Sequence, residues 1–353
     1  MSLISFMTRI HFADRVLEDA LPEELRKLDI RRPLIVTDEA GENEDCLERL
    51  IDALPADCAP VHLSGYRPQV KASQVRAASK TYLKNGCDAV IGFGGAVALD
   101  LARVIDAPPK RGNQAHLLTI PTTTESVGLG PIGGAISDLP ILNPKNPSVV
   151  LCDATLTLGN NAYATAIAGM DTLTHCLEAY LGTAFNPPAD GIALEGLRRA
   201  MRHLARAVED QSDVEARREM LAAALNAGLS ARKGLGGIDA AARALEAEAG
   251  MFGRHGSLNA ALLPHILSFN LPAVSDRLPV VREAIGLRAG CDVASAITEL
   301  GARLGLPERI GPLGLGRASL RRAAQAAAVD PANQTNPRLA SAEDYLRLLE
   351  EAF

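Results

Sequence analysis

Tryptophan is absent from this chain of 353 residues, and its aromatic side chains are limited to five tyrosines and seven phenylalanines. Basic residues form no cluster, and the formal net charge is −6. A nucleic-acid binder needs a basic face and stacking aromatics, so that class is set aside. No apolar run approaches the length of a bilayer span, which argues against a membrane partner. The start, Met1-Ser-Leu-Ile-Ser-Phe-Met-Thr-Arg-Ile, has neither the basic opening nor the small-residue cleavage site of a signal peptide, so a cytoplasmic location is expected. No CxxC pair occurs among the cysteines at 46, 58, 87, 152, 176 and 291; they are expected to be buried small apolar side chains. The chain shows no internal repeat and no low-complexity segment.

What is present is long enough for two domains and a sizeable core. In the first half, short apolar strands are expected near 33–37, 61–64, 88–93, 116–120 and 149–152. Between them, helical spacing of apolar residues predicts helices over 43–54, 70–85 and 99–105. Strands alternating with helices imply a Rossmann-like parallel sheet covered on both faces. From about Asn161 onward the pattern is helical throughout, over 163–182, 189–208, 213–230, 236–249, 257–267, 280–286, 291–304, 317–327 and 341–352. Proline and glycine are expected to interrupt it, for example at Leu271-Pro272. The domain boundary falls near 155–160, giving an α/β domain over 1–158 and an all-α domain over 159–353.

Several motifs carry chemistry. Asp171 and His175 lie four residues apart in Gly169-Met-Asp-Thr-Leu-Thr-His-Cys-Leu-Glu-Ala-Tyr180. Residues at this spacing share a helical face and can point at one object, such as a divalent metal. The apolar residues around them imply a buried helix, in which polar groups need partners. Gly92-Phe-Gly94-Gly95-Ala-Val-Ala-Leu-Asp100 joins a strand to a helix, where glycines let backbone N–H groups approach a phosphate. Asp100, inside that helix, can bond a sugar hydroxyl or simply satisfy its neighbours. Asp38 ends the first strand, where an acid can accept from an adenosine ribose and repel a 2′-phosphate. Thr122, Thr123 and Thr124 follow the fourth strand and face the region where open α/β sheets bind ligands. His265, in an apolar helix, reads as a packing residue.

Read in order, a strand ending in Thr37-Asp38, then GFGGAVALDLA, IPTTT, VLCDATLTL, AGMDTLTHCLEAY and Arg254-His255-Gly256-Ser-Leu-Asn259 resemble the iron-containing (group III) alcohol dehydrogenase superfamily. That superfamily shares its fold with dehydroquinate synthase. The match runs from about residue 8 to the C-terminus. Chain length and the short Pro121-to-Pro131 spacing look most like the maleylacetate reductase branch. The resemblance implies an NAD(P)-dependent oxidoreductase, with a cleft between a nucleotide-binding and a helical domain. It would move a hydride between nicotinamide and a small alcohol or carbonyl substrate, with acidic, maleylacetate-like compounds among those it admits. By the same resemblance Asp38 goes with NAD rather than NADP, Gly94 and Gly95 with the pyrophosphate, and Thr122 and Thr123 with the cofactor site. Asp171, His175 and His255 fall on three of four positions for a divalent metal, iron or zinc. A homodimer is the default assembly.

The chain departs from the family pattern at the fourth metal position. The family carries HxxxH on the helix before the His255 loop; here the segment is Gly234-Leu-Gly-Gly-Ile-Asp239-Ala-Ala-Ala-Arg243-Ala-Leu-Glu246. Aligned on the glycine turn, Asp239 takes the ligand position and Arg243 that of the second histidine. Counted back from His255, Ala241 and Leu245 take them, which leaves three ligands and favours metal-independent chemistry. In that case His255 and Arg243 would stabilise the alkoxide and supply the proton. The family's GGGS has become Gly94-Gly95-Ala96-Val97, and Glu125 stands where it would repel a pyrophosphate if it pointed inward. Two other readings remain: a dehydroquinate synthase-like lyase or cyclase, disfavoured because Ala135 rather than lysine follows Gly133-Gly134, and a non-catalytic nucleotide-binding relative.

Overall fold

The computed structural model describes residues 8–39, 43–108, 115–125, 127–132, 136–137, 144–250 and 253–353. It divides into two compact units that meet in sequence between Asn160 and Asn161.

The first unit runs β1 (Arg9–Phe12), α1 (Val16–Lys27), β2 (Pro33–Asp38), α2 (Glu44–Asp52), β3 (Val61–Tyr66), β4 (Val70–Lys71), α3 (Ala72–Lys84), β5 (Ala89–Gly94), α4 (Ala96–Val104), β6 (His116–Pro121), β7 (Ile136–Ser137) and β8 (Val149–Cys152). Six of these strands form a sheet in the order β1-β8-β6-β5-β2-β3, and the pairings are all parallel. Alternate residues of each strand point to opposite faces. Ile35, Ile91 and Leu118 therefore pack with Leu17, Leu21, Leu25 and Leu50 of α1 and α2, while Leu34, Val36, Val90 and Leu117 pack with Val75, Tyr82, Val97 and Leu101 of α3 and α4. The inner strands β2, β5, β6 and β8 are almost wholly buried because both faces are covered, whereas the edge strands β1 and β3 are partly exposed.

The sheet order reverses at β2 and β5. From β2 the chain moves outward to β3; from β5 it moves the other way to β6. Open α/β sheets bind ligands beyond the carboxyl ends of the strands at such a reversal. Thr37 pairs with Phe93, and Gly94 with Pro121, so Asp38, the glycine turn and Thr122 leave the sheet along one edge.

The five predicted strands and three predicted helices of this half all form, with ends shifted by a few residues. Sequence periodicity did not anticipate β1, α1, β4 or β7. β1 is an edge strand only four residues long, too short for a period-2 pattern, and α1 carries Pro22 in its interior.

The second unit is a helical assembly: α5 (Ala162–Leu181), α6 (Pro187–Glu209), α7 (Val214–Ser230), α8 (Gly237–Ala249), α9 (His255–Val274), α10 (Leu278–Ala284), α11 (Val293–Arg303), α12 (Arg317–Val329), α13 (Pro331–Thr335) and α14 (Ala342–Glu351). Their apolar faces share one large core. Asparagines start the first two helices: Asn161 accepts from the Ala164 N–H and Asn186 from that of Ala189, satisfying donors that a helix start leaves open. One expectation is corrected here. Helix α9 does not stop before Leu271-Pro272 but continues through Pro264 and Pro272 to Val274. Burial of Leu267, Phe269 and Val274 outweighs the lost hydrogen bond and ring clash, a cost of about 3 kcal/mol per interior proline.

The cysteines are also only partly as expected. None of the six forms a disulfide; four are buried, but Cys58 is half-buried and Cys291 exposed. Among the described residues, no helix is long and apolar enough to cross a membrane.

Candidate active site

In the helical unit, α5, α8 and α9 bring four predicted side chains together. Asp171 and His175 occupy one face of α5, Asp239 lies in the first turn of α8, and His255 opens α9. The His175 Nε2 lies 3.4 Å from Asp171 Oδ1 and 3.5 Å from Asp239 Oδ1. The His255 Nε2 lies 3.2 Å from Asp239 Oδ1 and 3.7 Å from Asp171 Oδ1. Asp171, His175 and His255 present donor atoms spaced closely enough to share one metal ion. Asp239, rather than Ala241, faces them; Ala241 and Leu245 are fully buried in the helical core.

Three residues not singled out from sequence hold this arrangement. The Glu246 carboxylate lies 3.0 Å from His255 Nδ1, which fixes the ring with Nε2 turned toward the two aspartates. Asn259, one turn beyond His255 on α9, donates to Asp171 Oδ1 at 2.9 Å. Glu178, three residues after His175, accepts from the backbone N–H groups of Ile238 (2.6 Å) and Asp239 (3.2 Å). It thus satisfies the start of α8 from another helix and sets where Asp239 sits. Glu178 and Asn259 were within reach of the helical-face rule that found Asp171 and His175. Glu246 lies on α8, a different helix from the His255 it holds, so counting along α9 from His255 does not reach it.

Arg243 is committed to carboxylates: its Nη2 lies 2.7 Å from Asp239 Oδ2 and 2.7 Å from Asp330 Oδ1. Burial pushes the Asp239 carboxyl up, but Arg243 and the two imidazoles outweigh it and hold the group well below the usual aspartate range. Burial raises Asp171 despite His175 and His255. It would lower His255, yet Glu246 and Asp239 lift that ring well above the usual histidine range. Glu178 is pushed up to about 7, by burial first and Asp239 second. His175 Nε2 is buried and makes no hydrogen bond among the described residues. A buried polar atom in that condition points to a missing partner. Two imidazole nitrogens and two carboxylate oxygens suit iron or zinc.

In the first unit, Asp38 is buried and spans the glycine turn. It accepts from the Gly95 N–H at 3.1 Å and the Ala98 N–H at 3.0 Å. Gly94 has φ +147°, and a Cβ there would lie 2.2 Å from Asp38 Oδ1, so the position requires glycine. Gly94→Ala is expected to destabilise the fold by about 1–3 kcal/mol, seen as a lowered Tm; an unchanged Tm would show that the turn relaxes freely. Asp100 is buried and pairs with Arg103 Nη1 at 3.2 Å. The Thr122 N–H donates to Gly94 O at 2.9 Å, tying the threonine loop to the turn. Thr123 Oγ1 lies 3.5 Å from Glu125 Oε1. Ser126 and Gly133–Ala135, the latter bearing on the synthase alternative, lie outside the described residues.

Comparison with known proteins agrees with both halves. Residues 8–126 match the family model for iron-containing alcohol dehydrogenase. Residues 165–353 match that for the C-terminal part of the Fe-containing alcohol dehydrogenase family. The 4-hydroxybutyrate dehydrogenase of Cupriavidus necator is 34% identical, with all of both chains covered. Among solved structures, an alcohol dehydrogenase from Oenococcus oeni superposes with a TM-score of 0.88 at 23% identity, over 99% of this chain and all of the other. Maleylacetate reductase from Agrobacterium tumefaciens gives 0.81 at 25% identity, over all of this chain and 99% of that one. Fold and site thus define an NAD(P)-dependent alcohol oxidoreductase. The chain belongs to the iron-containing alcohol dehydrogenase family.

Proposed function

We propose that Asp171, His175, Asp239 and His255 hold a divalent metal, iron or zinc, and that the enzyme works with NAD on a small alcohol or carbonyl compound carrying a carboxylate. The observation that carries the metal reading is the convergence of the two Nε2 atoms on the Asp171 and Asp239 carboxylates, with His175 Nε2 left without a hydrogen bond. When bound, such an ion polarises a carbonyl oxygen as a Lewis acid. The protein's own groups prepare the place: Glu246 orients His255, Asn259 orients Asp171, and Glu178 anchors the turn bearing Asp239. Arg243 offsets the charge of the second aspartate. A metal-free mechanism resting on His255 and Arg243 has less support, because Arg243 is already shared between Asp239 and Asp330.

An acid at the end of β2 supports NAD over NADP through its negative charge near the turn, although the oxygens of Asp38 accept from the Gly95 and Ala98 N–H groups. The acidic substrate is supported by the relatives named for 4-hydroxybutyrate and maleylacetate, both carboxylate-bearing compounds. In this reading residues 1–158 bind the nucleotide and 159–353 the metal and substrate. Free cysteines fit a cytoplasmic location, and a homodimer is the simplest assembly.

The test is metal analysis of purified protein, with NADH and NADPH assayed against ω-oxo acids and uncharged aldehydes of equal length. Stoichiometric metal, activity lost on chelation and restored by Fe²⁺ or Zn²⁺, and preference for NADH and the oxo acids are expected. Full activity after complete metal removal would sink the metal reading. A preference for NADPH would sink the role given to Asp38.

A further inference from the structure

The start of α4 is already occupied by acids. Asp38 takes the Gly95 and Ala98 N–H groups, and Glu125 Oε1 accepts from the Ala96 N–H at 3.0 Å. These are the donors that a glycine turn before a helix offers to a phosphate, reinforced by the helix dipole. The two acids are held differently. Asp38 ends a central strand and is 3% exposed; Glu125 lies in the loop after β6 and is half-buried. Glu125 also sits directly over the glycine: a Cβ on Gly95 would lie 3.2 Å from its Oε1 and 3.3 Å from Thr123 Cγ2. The face of Gly95 that lacks a side chain is therefore the face the carboxylate covers.

We infer that Glu125 is an internal stand-in for phosphate, which the pyrophosphate of the cofactor must displace to reach the N-terminus of α4. This rests on the reading that the glycine turn receives the dinucleotide. A carboxylate and a phosphate oxygen compete for the same N–H donor and repel each other when both are near. Binding then proceeds with Glu125 rotated outward, its bond to Ala96 broken and replaced by one from the phosphate. The loop thus lowers affinity for the cofactor without touching the nicotinamide, and the effect is confined to ligands that carry a phosphate. Asp38, on the buried side, stays in place and keeps the turn folded in both states.

Glu125→Gln keeps shape and a carbonyl oxygen for Ala96 but removes the charge. It is expected to tighten NADH binding, read by fluorescence titration, about tenfold, the scale of one charge-assisted hydrogen bond. Inorganic pyrophosphate should raise the Tm of Glu125→Gln more than that of the unaltered protein, whereas adenosine should shift both equally. NADH binding that is equal or weaker in the variant, with measurable binding in both, overturns the displacement while leaving the cofactor site intact. Failure of both proteins to bind NADH or NADPH overturns the cofactor reading and this inference with it. An equal gain for adenosine shows a general loosening of the loop, and also overturns it.

Discussion

His175→Ala is expected to leave the protein folded, without stoichiometric metal, and with kcat/KM lowered about 10³-fold, the scale of the several kcal/mol a Lewis acid supplies. The argument starts from position. His175 lies in the middle of α5, so alanine is compatible with the helix. Its Nε2 is buried and makes no hydrogen bond among the described residues, so its removal costs the Asp171 and Asp239 carboxylates only the longer contacts at 3.4 and 3.5 Å. What is lost is one of two nitrogens in the donor set, leaving Asp171, Asp239 and His255. Metal content measured beside activity separates this role from general damage. If His175→Ala retained stoichiometric metal with unchanged affinity, His175 would not be a ligand, whatever the activity did.

The second large effect is expected at Glu246, which touches no proposed metal position directly. Its carboxylate holds His255 Nδ1 at 3.0 Å, which keeps the ring's proton on that nitrogen and turns Nε2 toward the two aspartates. Partners of this kind set the tautomer and basicity of a ligating imidazole, and their loss costs about 10–100-fold in metal affinity. Glu246→Ala should weaken metal binding by that factor in a chelator competition, while Glu246→Gln, which still offers an oxygen to Nδ1, should recover most of it. A purely structural role for Glu246 predicts a different result: a lowered Tm in both variants and no difference between them in metal affinity.

How much of this was legible beforehand depended on the range of the interaction. Asp171 and His175 were found by counting along one helix, and Asn259 and Glu178 obey the same count from His255 and His175. Asp38, Gly94 and Thr122 were found because strand ends and glycine turns have local signatures. The fourth position was different. Two alignments of the segment before His255 were open, because the length of chain joining α8 to α9 does not say which face of α8 turns toward α5. The structure turns Asp239 there and sends Ala241 into the core, since Glu178 fixes the start of α8 from outside it.

The same division holds at the glycine turn. Alternating strands and helices, the helical second half, the family motifs and the Asp171–His175 face were all determined by the sequence alone, through the fixed periods of strand and helix. Tertiary structure decided that Asp38 and Glu125 fold back onto the start of α4, that Arg243 is divided between Asp239 and Asp330, and that Glu246 reaches His255. Apart from the Asp239–Arg243 pair, which lies at i,i+4 on α8, each of these brings a charged side chain of one element onto a group of another. Their meeting depends on how buried faces pack and on which buried charge finds a partner, and neither is fixed by the spacing of residues along the chain.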